Sequence, residues 1–183
     1  MTKKTIFSGF GGQGVLMMGL VLATSAMRDG KNVTNLPAYG AEMRGGTANC
    51  TVVISDNEIF SPVASFPDYA VIMNNPSLSK YEGIIKGGGL MIINSSLVDR
   101  DPKRADLETV KIPVNDIAKE LGSDRTINMI MLGAFVTKTH ITSLDSIMNG
   151  LSDVIGEKKV SASVMKLNRK GLDRGAEYVL KGA

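Results

Sequence analysis

The chain is short of the residue types that carry most redox and nucleophilic chemistry. Among 183 residues there is one cysteine, Cys50, one histidine, His140, and no tryptophan. One thiol closes no internal disulfide and falls short of the roughly four thiolates of an all-cysteine iron–sulfur cluster. Any redox centre this protein works with is therefore expected on another chain. Aromatics are few, five Phe and four Tyr, and they are scattered rather than grouped into a stacking platform. With a net charge of only +3, nucleic acid is not an expected partner. No apolar run reaches the roughly 18 to 20 residues of a membrane span, and Met1-Thr2-Lys3-Lys4 leads into a strand-like run instead of a signal-peptide core. A cytoplasmic protein without a membrane partner is expected. The remainder is 43% hydrophobic and 21% charged, enough apolar material for one core, so residues 1–183 are read as a single α/β domain.

What is there in abundance is glycine, and its most informative placement is early. Gly9-Phe10-Gly11-Gly12-Gln13-Gly14 follows the β-like run Thr5-Ile6-Phe7-Ser8 and precedes an apolar helical run. Gly9, Gly11 and Gly14 fit G-x-G-x-x-G in the strand-turn-helix setting that the motif needs, where bare backbone N–H groups at a helix N-terminus meet an anion, usually phosphate. The same glycines also allow a helix to pack tightly on its sheet, so the motif alone admits both readings. A dinucleotide fold adds an acid about 20 residues further on for the ribose hydroxyls. Here the next strand, Asn32 to Leu36, ends in Pro37 with no acid, which disfavours an ordinary NAD site.

The elements then alternate. Val15, Leu16, Leu20, Leu22, Ala23 and Met27 make a helical stripe stopped by Asp29-Gly30, and Asn32 to Leu36 reads as a second parallel strand. Pro37 to Gly46 has turn formers, one acid, one base and a glycine pair without helix or strand period. It is read as a loop at the carboxyl end of the second strand, converging on the glycine turn. There Arg44 is able to fork onto a phosphate or carboxylate, or to pair with Glu42 and pin the turn. Thr47 to Ser55 alternates as a strand, turning at Asp56-Asn57 into Glu58-Ile59-Phe60 to form a hairpin. Cys50 within it reads as a small buried hydrophobe.

Further on, Tyr69 to Met73, Leu90 to Asn94 and Glu108 to Ile112 have strand character, with a helix from about Ser77 to Ile85 and a short one over Val114 to Leu121. Lys86-Gly87-Gly88-Gly89 precedes a strand, has no helix dipole behind it, and reads as a turn. Helical spacing recurs from Thr126 to Lys138, from Leu144 to Ile155 and from Ser161 to Leu180. Asn128 is placed to cap or to bond a neighbouring loop, and His140 follows a helix end where the dipole favours it. The last helix carries Lys166, Arg169, Lys170 and Arg174 on one face, either solvated or set against an acidic partner. The expected fold is α/β: a single Rossmann-like open sheet, mostly parallel with an antiparallel hairpin, flanked by helices.

The two linked signatures, Gly9 to Val15 and Tyr39-Gly40-Ala41-Glu42-Met43-Arg44-Gly45-Gly46, together resemble the gamma subunit of 2-oxoacid:ferredoxin oxidoreductases, and the likeness extends through Thr47 to Ser61-Pro62. The resemblance implies a complex that oxidatively decarboxylates a 2-oxoacid, passes electrons through iron–sulfur clusters to ferredoxin, and forms an acyl-coenzyme A. It implies alpha, beta and ferredoxin-like delta subunits as partners, and thiamine diphosphate, Mg²⁺ and the clusters on those subunits. A thiamine motif is absent here, the nearest sequence being Arg28-Asp29-Gly30 at a helix end. By matching positions, Gly9, Gly11, Gly12, Gln13, Gly14, Glu42, Arg44, Gly45 and Gly46 would line a junction that binds coenzyme A or a partner subunit. No catalytic residue and no metal ligand is expected on this chain, which alone should be inactive and hold no cofactor. The length suits a free-standing gamma chain, and the loop is nearer the 2-oxoglutarate and branched-chain branches, of which 2-oxoglutarate is preferred. Two other readings stay open: a stand-alone nucleotide-binding module, and an assembly subunit without a ligand.

Overall fold

The computed structural model describes residues 1–39, 47–156 and 161–182. Six strands form one sheet: β1 (Thr2–Phe10), β2 (Asn32–Tyr39), β3 (Thr47–Ser55), β4 (Tyr69–Ile72), β5 (Leu90–Asn94) and β6 (Glu108–Ile112), in the order β2-β3-β1-β4-β5-β6. β1, β4, β5 and β6 pair in parallel, and β3 runs antiparallel to both β1 and β2. Among the described residues six α-helices accompany them: α1 (Val15–Arg28), α2 (Asn75–Tyr81), α3 (Val114–Glu120), α4 (Ile127–Thr139), α5 (Leu144–Ile155) and α6 (Ala162–Leu180).

The expected fold class holds, with three local corrections. β2 does not pair with β1, because β3 lies between them. β3 carries the buried set Ala48, Cys50, Val52 and Ile54, so it belongs inside the sheet, while β2 is largely exposed and holds Pro37, which has no N–H to donate and suits an edge. The hairpin partner of β3 is therefore β2, and Glu58 to Phe60 forms no strand. The helix after β4 is α2, which gives way at Glu82–Ile84 to a tighter 3₁₀ turn before Ile85.

Period-two alternation places the parallel strands β1, β4 and β5 between two apolar layers. Phe7, Val71, Met73 and Ile92 face a core completed by α1, α3, α4 and α5, with Leu172 of α6. Ile6, Ala70, Ile72, Met91 and Ile93 face a smaller one closed by Leu78, Tyr81, Ile85, Val98 and Leu107. In the larger layer Phe135 meets Phe7 and Tyr69 edge-on, with centroids 5.6 and 5.8 Å apart. α1 lies so near β3 that a Cβ at Gly19 would overlap the Cys50 sulfur. Burial pushes the Cys50 thiol up from 9.0 to about 12, in keeping with an inert hydrophobe.

α4 is buried on nearly every side from Met129 to Val136, and α6 reaches it backbone to backbone. A Cβ at Gly175 would overlap the Ile130 carbonyl, and one at Gly133 the Leu172 carbonyl. Main-chain atoms cannot rotate aside, so relief requires the helices to separate. Gly175→Ala should cost at least about 2 kcal/mol of stability, read from the urea unfolding midpoint; an unchanged midpoint would show that the helices do not approach so closely. The Cys50 shift makes a second prediction. The folded chain holds its thiol proton while the unfolded chain releases it near pH 9, so this group's contribution to stability is complete below that pH and declines toward about pH 12. At mildly alkaline pH iodoacetamide should label Cys50 in urea and leave it unlabelled in buffer.

Candidate functional site

The chain leaves β1 toward the layer holding α1 and leaves β4 toward the opposite layer holding α2. Adjacent parallel strands whose exits diverge in this way open a crevice at their carboxyl ends, the usual ligand position in an open α/β sheet. The glycine turn stands at that point between β1 and α1.

Each residue of the turn has a distinct environment. Gly9 is buried in the last stretch of β1, where a Cβ would stand 2.8 Å from Met73 Cβ and 2.9 Å from Val15 Cγ2. Gly14 starts α1 in the left-handed region, φ 74°, against Asn128, whose Cβ would be 2.8 Å from an added one. Close packing therefore accounts for these two glycines. Gly12 needs its positive φ of 94° but borders open space. Gly11 has neither constraint: nothing lies within 4 Å of where its Cβ would be, and the residue is exposed.

Gln13 does something its place in the motif did not announce. Its Oε1 accepts the Phe10 N–H at 2.6 Å and the Asn74 Nδ2 at 3.3 Å, and its Nε2 donates to the Met73 carbonyl at 3.3 Å. Asn74, 2% exposed, accepts the Ser77 N–H at 2.9 Å as the N-cap of α2. The side chain of Gln13 thus ties the exit of β1 to the exit of β4 and is directed inward. α1 itself has no acid in its first turn and no side-chain cap among the described residues, which leaves its first amides available to an anion.

On the outer side, Gly12, Gln13 and Gly14 line a cavity of about 180 Å³ with Asp124, Arg125, Ile127 and Asn128. Arg125 is an exposed base facing the turn from the segment before α4. Sequence reasoning missed it, since nothing in Ser123-Asp124-Arg125-Thr126 has a motif spacing; the signal was only a basic residue ahead of a helix in a chain otherwise read for glycines. Asn128, expected to cap or to bond a neighbouring loop, accepts the adjacent Met129 N–H at 2.9 Å and packs on Gly14.

Glu42, Arg44, Gly45 and Gly46 lie outside the described residues. The two ends of their segment are placed: Tyr39 pairs with Ala48, Ala48 with Gly9, and Thr47 with Phe10. Both ends stand level with the glycine turn. β3 also decides what that turn is able to hold. It separates the end of β2 from β1 by two strand spacings, roughly 10 Å, so even an acid on β2 would not stand beside the turn as ribose recognition requires.

Other candidates fall away from this edge. The triple glycine turns into β5 as expected, with the Gly88 N–H on Asp106 O and the Gly89 N–H on Lys86 O. It lines a cavity of about 350 Å³ at the opposite, amino-terminal edge, where the lysines pair with acids: Lys3 and Lys86 with Asp68 at 3.8 and 3.6 Å, and Lys138 with Glu108 at 2.5 Å. His140 caps α4 in the left-handed region and faces solvent. Asp29, the nearest approach to a thiamine-type acid, accepts the hydroxyls of Thr142 and Ser146. On α6, Arg169 pairs with Asp145 and Asp173, and Arg174 with Glu120, so half of the basic face is committed internally. An iron–sulfur cluster does not fit this chain, whose one thiol is buried and fully protonated. No group of three or more His, Cys, Asp or Glu suited to a metal is found among the described residues, and none of the described helices is long and apolar enough to cross a membrane.

An open α/β module with an uncapped glycine turn at a sheet crevice is thus the class defined by fold and site. The pattern of the pyruvate ferredoxin/flavodoxin oxidoreductase family matches residues 4–178, and the chain belongs to that family. The ketoisovalerate oxidoreductase subunit VorA of Methanothermobacter marburgensis is 38% identical over 179 residues, 95% of this chain and 36% of the relative. The chain therefore spans about a third of that protein. The 2-oxoglutarate synthase subunit KorC of the same organism is 32% identical over 193 residues, 100% of this chain and 99% of the relative. Among solved structures, the gamma subunit of a keto/oxoacid ferredoxin oxidoreductase from Geobacter sulfurreducens is similar at TM-score 0.82 and 28% identity, covering 98% of this chain and 99% of its own. The 2-oxoglutarate:ferredoxin oxidoreductase of Magnetococcus marinus, solved with 2-oxoglutarate, coenzyme A and succinyl-CoA bound, is similar at TM-score 0.86 and 25% identity over 100% of this chain and 31% of that one.

The environments of the glycines predict a split in their mutants. Gly14→Ala meets both the torsional cost and Asn128 and should lose at least about 2 kcal/mol. Gly11→Ala should stay within about 0.5 kcal/mol of the parent. Urea unfolding of the two variants checks this, and equal losses would contradict the assignment.

Proposed function

We propose that residues 1–183 act as one gamma-type subunit of a 2-oxoacid:ferredoxin oxidoreductase and help to hold coenzyme A at the junction with the thiamine-bearing subunits. The observation that carries this reading is Gly11-Gly12, an open pair of glycines before the uncapped start of α1, in a chain of this family. Gly11 is required neither by packing nor by φ, so the approach of something from outside is what remains to explain it.

The chain's own part is binding and orientation. The amides at the start of α1 would meet phosphate oxygens with the positive end of the helix dipole behind them. Arg125 would supply a guanidinium fork, and Glu42, Arg44, Gly45 and Gly46 are the further residues proposed for this junction. Gln13 would keep the turn open by tying it to β4. Held by its phosphates, coenzyme A would present its thiol to the partner subunits, where thiamine diphosphate with Mg²⁺ supplies the decarboxylation chemistry. There a 2-oxoacid and the thiol would give acyl-coenzyme A and CO₂, with two electrons leaving through iron–sulfur clusters on the partners to ferredoxin. Alpha, beta and ferredoxin-like delta chains are the proposed partners, in the cytoplasm.

The preferred acid is 2-oxoglutarate, supported by KorC relatives that match this chain end to end. A branched-chain 2-oxoacid is the second reading, favoured by the 38% identity to a ketoisovalerate subunit. Anaerobic assay of the purified complex with each acid decides between them. In the same assay Gly11→Ala and Arg44→Ala should each raise the KM for coenzyme A with assembly intact, the arginine by about 1.5 to 3 kcal/mol. The isolated chain should reduce no viologen dye. An unchanged KM together with failed assembly would make the turn a subunit clamp, and tight NAD binding by the lone chain would restore the nucleotide-binding module.

A further inference from the structure

Under the glycine turn the backbone dictates which way two side-chain amides point. Phe10 offers an N–H, so the atom of Gln13 that meets it at 2.6 Å is the oxygen; Met73 offers a carbonyl, so the atom that meets it at 3.3 Å is the nitrogen. At the other end the Ser77 N–H, at 2.9 Å, claims the oxygen of Asn74 and leaves its Nδ2 to face Gln13 Oε1 at 3.3 Å. Main-chain groups thus fix both amides, and the two complement each other in that orientation alone. Neither is able to flip without setting like groups against each other.

This network is closed off from water. Asn74 is 2% exposed, and Ser8 and Ser77, whose hydroxyls bond each other at 2.9 Å, are both 0%. An unmatched amide there has no solvent to turn to, so its polarity is felt in full. The strands on either side are held by their ladder: Ser8 pairs with Ile72, and the Met73 N–H reaches the Ser8 carbonyl at 2.9 Å. The turn is the part able to yield. It is closed by the Gln13 N–H on the Phe10 carbonyl at 3.2 Å and by the Phe10 N–H on Gln13 Oε1, and beyond these bonds Gly11 and Gly12 border open space.

We propose that Asn74 is a positioning residue for the glycine turn: by donating to Gln13 Oε1 it keeps that side chain under the turn, and so sets the affinity for coenzyme A without touching it. This role rests on the coenzyme A reading above. As N-cap of α2, Asn and Asp serve equally, each offering an oxygen to the Ser77 N–H. They differ at the other end, where Asn donates and a carboxylate only accepts. Asparagine at this place is thus explained by the turn and not by the helix. With the donor gone, Gln13 Oε1 faces a second oxygen and its amide has no satisfied orientation. The turn then samples arrangements in which a phosphate group no longer meets a preformed start of α1.

The test is steady-state kinetics of the purified complex carrying Asn74→Asp or Asn74→Ser, the second keeping a capping oxygen without adding a buried charge. Ser77→Ala is the control, since it breaks the Ser8–Ser77 bond and leaves both amides paired. The KM for coenzyme A should rise about tenfold in Asn74→Asp and by less in Asn74→Ser, with kcat and the KM for the 2-oxoacid within about twofold of the parent. Ser77→Ala should lower the melting temperature and leave the coenzyme A KM unchanged. In the isolated chain, amide hydrogen exchange at Phe10 should quicken in Asn74→Asp and keep the parent rate in Ser77→Ala. If Gly11→Ala raises the coenzyme A KM while neither Asn74 variant does, the positioning role is overturned and the coenzyme A reading stands. A rise in Ser77→Ala as large as that in Asn74→Asp would trace the effect to lost stability, and the proposal would be wrong. If none of these variants moves that KM, Gly11→Ala included, the coenzyme A reading fails and takes the positioning role with it.

Discussion

One side-chain amide ties the glycine turn to the strand beside it at the carboxyl edge of this sheet. Gln13 accepts the Phe10 N–H and the Asn74 amide and donates to the Met73 carbonyl, so its side chain joins the ends of the two central parallel strands beside Ser8, whose carbonyl accepts the Met73 N–H and whose hydroxyl bonds Ser77. The consequences pass outward from it. With the turn fixed, α1 starts beside Asn128 and descends across β3 at the contact between Gly19 and Cys50. The turn's polar interior is then satisfied by the protein's own amide, and only its outer rim, Gly11 and Gly12, is left to meet anything else.

The molecule divides its work between two edges. At the carboxyl edge there is an uncapped helix start, an exposed arginine and the two ends of the segment carrying Glu42 and Arg44. At the amino edge the lysines are paired with acids and the unpaired feature is apolar, the row of Phe60, Val63 and Phe66. The proposed assignment of an anionic ligand to the carboxyl edge follows that difference in chemistry. Half of the basic face of α6 is withdrawn from it, since Arg169 and Arg174 are already engaged by acids of α3, α5 and α6 itself.

Much of this was legible from residue patterns, because those patterns report burial and backbone torsion directly. The apolar runs Tyr69 to Met73 and Leu90 to Asn94 announced strands covered on both sides, and the 3.6-residue spacing announced α4, α5 and α6 within a residue or two. Strand neighbours were harder, because alternation tells which face is buried and not which strand lies alongside. Asn32 to Leu36 and Thr47 to Ser55 were both recognisable as strands, yet their order depends on Pro37 favouring an edge and on Cys50 fitting under Gly19. At the site the glycines were visible and their individual reasons were not: two of them answer to Met73 and Asn128, residues some sixty and more than a hundred positions away. Arg125 was invisible for the same cause, since its meaning comes from a loop on the far side of the fold.

The interlocked backbones of α4 and α6 also bear on the order in which the protein is made. α4 is apolar on every side from Met129 to Val136, and one of those sides is covered only when Gly171 to Ala176 arrive. At roughly 5 to 20 residues per second, the ribosome adds the residues between Thr139 and Leu180 over a few seconds. Throughout that interval the face of α4 that receives α6 has no partner to cover it. A fold that looks settled by its opening motif is thus completed only when α6 docks on α4.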